Sequence, residues 1–243
     1  MVRSVAAALA AGLFATYALG SAAFAAMDDM NAPPMPWTNA GATPFVQRDA
    51  QSHVTVIGLN IPGATVRALP SMRSEGIYPM SDAGMVQTAN LQWHPLGHEP
   101  VGVYDVPHFD VHFFTITEAV RQAIVPGAPA GTVMPAQDSM PPNSILAPGF
   151  VPGMGMHNIS KTAPEFTGGK FSITPILGYW NGDVAFFEVM FTKAWLLQNQ
   201  DKVDAFPQPA AVRQHGLYPT RYSVHYDKAK DVYQVALTDF RQR

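Results

Sequence analysis

Pro107–Phe114 reads PHFDVHFF, and the fold turns on whether it is a strand or a helical turn. As a strand, it puts His108, Asp110 and His112 on one face and Phe109, Val111 and Phe113 on the other, because side chains alternate along an extended chain. As a helical turn, His108 and His112 at i and i+4 still point the same way, and only Asp110 leaves them. Aromatic and β-branched content, with Pro107 at the start, favours the strand. The segment sits inside Trp93–Phe114, WHPLGHEPVGVYDVPHFDVHFF, which holds four of the eight histidines of the chain and three of its acidic residues.

Two histidines and a carboxylate on one strand face are expensive to bury without partners. Metal ligation is therefore preferred for His108 and His112 over a pair of hydrogen-bonded core histidines. Asp110 is either a ligand or the carboxylate that orients an imidazole. Residues i and i+4 on a straight strand are roughly 13 Å apart, too far to share one ion easily, whereas i and i+2 are about 6.6 Å apart. Three arrangements remain open: the strand bends or bulges, one histidine stands behind the other at the ion, or there are two metals.

Working outward, the 243 residues are 47% hydrophobic and 14% charged, which suits one globular domain over 45–243. With 22 prolines and 19 glycines, helices should be short and loops long. The expected fold is mainly β (α+β): a twisted or barrel-like antiparallel sheet, two or three short helices and long Pro/Gly-rich loops. Residues 1–25 have the pattern of a signal peptide, with Arg3, the apolar run Ala6–Leu19 and an A-x-A site at Ala23–Ala25. Residues 26–44 read as a flexible leader. Secretion or a periplasmic location follows, with no membrane association after cleavage. The chain has no cysteine, so any metal is held by His, carboxylate or Met. Loss of Arg3 leaves 14 basic against 18 acidic residues, a net charge of −4. That balance, with no basic cluster, excludes nucleic acid as a partner.

Further along, Gln51–Leu59 reads as a strand, GATVRALP as one helical turn ending before Pro70, Met72–Ala89 as a polar, Gly-rich stretch, Val86–Trp93 as a strand, and Thr115–Ile124 as a helix capped by Thr117 with Ala119, Val120, Ala123 and Ile124 inward. Val125–His157 reads as a long ordered loop or a mobile lid. Asn181-Gly182 between Phe171–Trp180 and Asp183–Phe191 is the hairpin signal, and alternation along the second strand puts Val184, Phe186, Glu188 and Met190 on one face and Ala185, Phe187, Val189 and Phe191 on the other. Thr192–Gln198 reads as a helix, and Arg221–Phe240 as a hairpin turning at Asp227–Asp231.

Four further readings concern chemistry. His98 is either returned to the same pocket by a tight turn or is a loop histidine bonded to backbone. Glu188, alone in an apolar strand, either completes a His/carboxylate shell or pairs with Lys193 or Arg221. Met134, Met140, Met154 and Met156 raise copper, with adaptable packing as the alternative. No nucleophile elbow, Walker loop or dinucleotide fingerprint is present, and no motif specifies a small-molecule substrate.

Gly97–Phe114 (GHEPVGVYDVPHFDVHFF), Pro152–Asn158 (PGMGMHN) with Pro164-Glu165 after it, and Gly178–Leu196 (GYWNGDVAFFEVMFTKAWL) resemble, in this order, a family of secreted bacterial proteins of unknown function. Its best-known member is a ring-forming homo-oligomer from Thermus tied to a sigma and anti-sigma stress circuit. The resemblance implies that His98, His108, Asp110, His112, His157 and Glu188 belong together, and that the chain forms a homo-oligomer. The sequence departs from the family pattern at Val189, where proline is expected. A divalent ion, with zinc preferred on ligand type and iron or copper as alternatives, is the expected cofactor. The competing expectation is a non-catalytic structural oligomer of the cell envelope.

Overall fold

The computed structural model describes residues 27–243; the signal-peptide segment lies outside the described residues. In chain order the strands are β1 (Met35–Pro36), β2 (Thr43–Arg48), β3 (Val54–Pro62), β4 (Ser74–Pro79), β5 (Thr88–His94), β6 (His108–Phe114), β7 (Ser144–Leu146), β8 (Met156–Ser160), β9 (Ile173–Trp180), β10 (Asp183–Thr192), β11 (Lys202–Ala205), β12 (Leu217–Asp227) and β13 (Val232–Gln242). The helices are single turns: α1 (Gly63–Arg67), α2 (Glu118–Gln122) and α3 (Lys193–Leu196). Two sheets result, one of eight strands in the order β1-β4-β5-β6-β10-β9-β8-β7 and one of five in the order β11-β12-β13-β3-β2. Neither closes on itself, so the barrel-like alternative gives way to two packed open sheets. Every pairing is antiparallel except that of β1 with β4.

The alternation in Pro107–Phe114 places β6 at the centre of the large sheet. Its inward residues Phe109, Val111 and Phe113 pack with Ile57, Leu59, Val224 and Val235 of the small sheet in one core. One ladder rung carries Trp93, Phe109 and Phe191 side by side, with ring centroids 4.8 Å apart for Trp93–Phe109 and 5.5 Å for Phe109–Phe191. The adjacent rung, His94, His108 and Thr192, points to the opposite face. Aromatic burial on one side of three strands thus forces the polar residues of all three to the other side.

That outer face is buried too. A second apolar cluster, including Tyr104, Phe114, Ile124, Met154, Phe171, Phe186 and Met190, covers it. The turn at Asn181-Gly182 has φ of 52° and 77°, the left-handed pair that a two-residue hairpin requires. In β10 a bulge between Val184 and Phe186 shifts the register. Val184 consequently joins Phe187, Val189 and Phe191 in the inter-sheet core, and Ala185 joins Phe186 and Met190 outside. Strict alternation had placed these two neighbours the other way round.

Three further expectations change. The 26–44 leader is part of the fold over its described residues: Trp37, Ala40 and Ala42 are buried in the inter-sheet core, β1 pairs with β4, and Arg73 Nη1 donates to the carbonyls of Asp29 (2.9 Å) and Ala32 (2.8 Å). A lone tryptophan and scattered alanines have no periodicity, so only the docked surface shows their use. Residues 72–89, read as polar connection, contain β4. In α2, Thr117 caps as expected, accepting from Val120 N at 3.3 Å, but Val120 is exposed and Arg121 is buried. Arg121 turns inward because Glu118 (2.7 Å) and Glu75 (3.2 Å) satisfy its guanidinium beneath the sheet face.

Candidate metal centre

Three strands aim polar side chains at the same covered face, and their register sorts them. Asn90, His112 and Glu188 share one rung; Gln92, Asp110 and Met190 the next; His94, His108 and Thr192 the third. His157 arrives from β8, where it pairs with Gly178 of β9. His98 comes from the loop between β5 and β6. The candidate residues fall into two groups: His94, His98, His108 and Asp110, and separately His112, His157 and Glu188, each with potential ligand atoms within 4.8 Å of one another. These groups could hold metal ions.

In the first group three imidazoles converge through Nε2 on one carboxylate. Asp110 Oδ2 lies 3.0 Å from His94 Nε2 and 3.3 Å from His98 Nε2, and Oδ1 lies 3.3 Å from His108 Nε2. Two of the far nitrogens have hydrogen-bond partners of their own, and the third faces a carboxylate. His98 Nδ1 donates to the Glu99 carbonyl and His108 Nδ1 to the Val106 carbonyl, both at 2.7 Å, while His94 Nδ1 faces Asp28 Oδ2 at 3.6 Å. A carbonyl cannot donate, so Nδ1 carries the proton in His98 and His108. In a neutral imidazole Nε2 is then a lone pair. Burial pushes His108 down to about 3, which keeps it neutral, and its Nε2 and Asp110 Oδ1 both lack a hydrogen-bond partner among the described residues. Two lone pairs facing each other in a dry site repel unless a cation lies between them. Outer carbonyls and carboxylates holding Nδ1–H while Nε2 atoms converge is the arrangement of metal-binding histidines.

Charge within this group is uneven. Burial disfavours the His94 cation, but Asp110 outweighs it and raises the group above its ordinary value. Burial likewise opposes the Asp110 charge, and His108 and His94 override it, holding that carboxyl well below the usual range. Gln92 ties the group to the rest of the sheet: its Oε1 meets His94 Nε2 at 3.3 Å and its Nε2 donates to Glu75 at 3.1 Å.

The second group has three members. His112 Nε2 lies 3.3 Å from Glu188 Oε1, and His157 Nε2 lies 3.8 Å from Oε2. His112 is fully buried, yet neither ring nitrogen has a hydrogen-bond partner among the described residues, nor does Glu188 Oε2. Burial pushes His112 well below its ordinary value and His157 down to about 4, and it raises the Glu188 carboxyl, with Asp110 adding to the effect. The Phe186 ring packs against both imidazoles, its centroid 5.0 Å from each. It lies over Gly178, where a Cβ would overlap the ring.

All six residues expected from sequence reach this face, but as members of two groups. The alternative partners of Glu188 are elsewhere: Lys193 Nζ sits over Trp93 at 5.9 Å and Arg221 pairs with Asp239 at 3.7 Å. The four methionines do not gather, since Met134 is exposed, Met156 lies in the inter-sheet core and only Met154 faces the site. His94 and Asp28 escaped the sequence reading. Extending the alternation Thr88, Asn90, Gln92 by one residue past Trp93 would have reached His94; Asp28 carried no signal.

A cavity of about 370 Å³ opens onto both groups, with His98 and Asp110 from one and His157 and Glu188 from the other on its surface. His94, His108 and His112 stand behind them. A wider groove of about 950 Å³ near Arg48, Asp82 and Asp239 touches neither group. No protein-family model, curated protein or solved structure matches this chain.

Proposed function

We propose that this is a secreted or periplasmic metal-binding protein that carries two divalent ions on the outer face of its large sheet. The observation that carries the reading is the set of buried imidazole nitrogens without hydrogen-bond partners, facing carboxylate oxygens in both groups. Burying that many polar atoms unsatisfied costs several kcal/mol, and a cation between them removes the cost. His94, His98, His108 and Asp110 supply four ligands, enough to close a tetrahedral zinc site. His112, His157 and Glu188 supply three, the two-histidine and one-carboxylate set that leaves a position for water or substrate. Zinc suits both groups; iron suits the second equally on composition.

A three-ligand ion at the base of a cavity would lower the pKa of its bound water and support hydrolysis or hydration. In the first group, the Glu99 and Val106 carbonyls hold His98 and His108 by Nδ1, and Asp28 stands opposite Nδ1 of His94. In the second, Phe186 excludes water from one side. The resemblance to a secreted family whose best-known member forms a ring supports a homo-oligomeric assembly.

The test is elemental analysis of mature protein purified without chelator or affinity-tag metal, beside His108→Ala and His157→Ala. Two ions per chain in the wild type and one in each folded variant is the expected result. A folded wild type that takes up no zinc, iron or copper would overturn the reading.

A further inference from the structure

The cavity between the two groups is built for a ligand of one chemical kind. Its walls are apolar, with Met30, Phe150, Val151, Met154, Ile176 and Met190 among them. Its polar lining consists of the candidate ligands His98, Asp110, His157 and Glu188, with Asn31, Glu99 and Tyr104 beside them. Among the described residues, no lysine or arginine lines it. A concave apolar pocket with a few convergent polar groups is the usual form of a small-molecule site.

Charge decides the head group. With two divalent ions in place, Asp110, Glu188 and, behind His94, Asp28 offset three of the four added positive charges, and Glu99, the remaining carboxylate of the lining, is exposed at the rim, where solvent screens it. The floor is then net positive inside apolar walls, where an uncompensated charge is costly. Without the ions the floor loses that positive charge and has nothing to hold an anionic head.

Resting on the metal-binding reading above, we infer that the cavity takes an amphiphilic carboxylate, its head on the metal-bearing floor among His98, Asp110, His157 and Glu188 and its hydrocarbon body against the methionine and phenylalanine walls. Binding depends on the ions for the head and on the walls for the tail. Neither acetate nor a neutral alcohol satisfies both ends. Methionine-rich walls accommodate tails of differing shape, because the thioether chain is flexible.

Calorimetric titration of the zinc-loaded full-length mature protein tests this with octanoate, acetate, octanol and octylamine, zinc content being measured in the same samples. Octanoate is expected to bind about a hundredfold more tightly than acetate, reflecting burial of its methylenes, and at least about tenfold more tightly than octanol. Chelation of the zinc should abolish octanoate binding. Ile159→Trp, which narrows the cavity from the partly exposed side of β8, should weaken octanoate binding about tenfold and leave the zinc content at two. Fully loaded protein that binds octanoate no better than acetate, or octylamine better than octanoate, would overturn the ligand assignment and leave the metal sites standing. Protein that takes up no zinc would overturn both.

Discussion

Glu188 on β10 stands directly across the ladder from His112 on β6, its Oε1 3.3 Å from Nε2, while Asp110, two residues from His112, faces a different set of imidazoles. One strand therefore feeds two sites. Glu188→Gln keeps the shape of the side chain and removes its charge, so it should release one of two ions and leave the other bound. Loss of both ions on metal analysis of the folded variant would mean that the groups act as one site.

Asp28 faces His94 Nδ1 at 3.6 Å. A carboxylate in that position fixes the tautomer and raises ligand basicity. Asp28→Ala should weaken one zinc about 10- to 100-fold in competition with a chelating dye and leave the second unchanged. Equal affinity in variant and wild type would remove Asp28 from the site.

Gly178 has no Cβ, and the Phe186 ring fills that space between His112 and His157. Gly178→Ala forces the ring to move inside a packed cluster, at about 1–3 kcal/mol. A lower midpoint in denaturant, together with weaker binding of the ion held by His112, His157 and Glu188, is expected. Wild-type stability with unchanged affinity would show that the ring does not need the glycine.

Burial moves His157 from its ordinary 6.5 down to about 4. Between those values the unfolded chain binds a proton that the folded chain refuses, so this group makes the metal-free protein less stable as pH falls from about 6.5 to about 4. Relative to His157→Gln, the chelated wild type should lose melting temperature across that window, and the difference should be constant above pH 7. A constant difference throughout would place His157 in water.

Trp37, within the stretch read as a leader, is buried between the sheets. Trp37→Ala should cost about 3 kcal/mol, read as a shifted urea midpoint at unchanged slope. A variant as stable as the wild type would return that segment to the role of a leader.

Much of this was legible because it is local. The alternation of His108, Asp110 and His112 against Phe109, Val111 and Phe113 needs only the pleat, and the Asn181-Gly182 turn needs only two residues that accept positive φ. Thr117 and Thr192 cap their helices by bonds to residues three positions on. The α2 face was misread because the inward position of Arg121 depends, beside Glu118, on Glu75 and the Gly153 carbonyl, 46 and 32 positions away in sequence.

By itself, then, the sequence determined which residue types are spaced to share a strand face, where the chain turns, and that any metal must be held without thiolate. Tertiary structure alone decided the rest. It placed His94 beside His108 through strand register, brought Asp28 onto His94, reversed Val184 and Ala185 by a bulge, and divided six candidates into two groups. Strand periodicity assigns a side chain to a face, but its neighbours across the sheet depend on register between distant segments, which is set by the burial of Trp93, Phe109 and Phe191 on the opposite side.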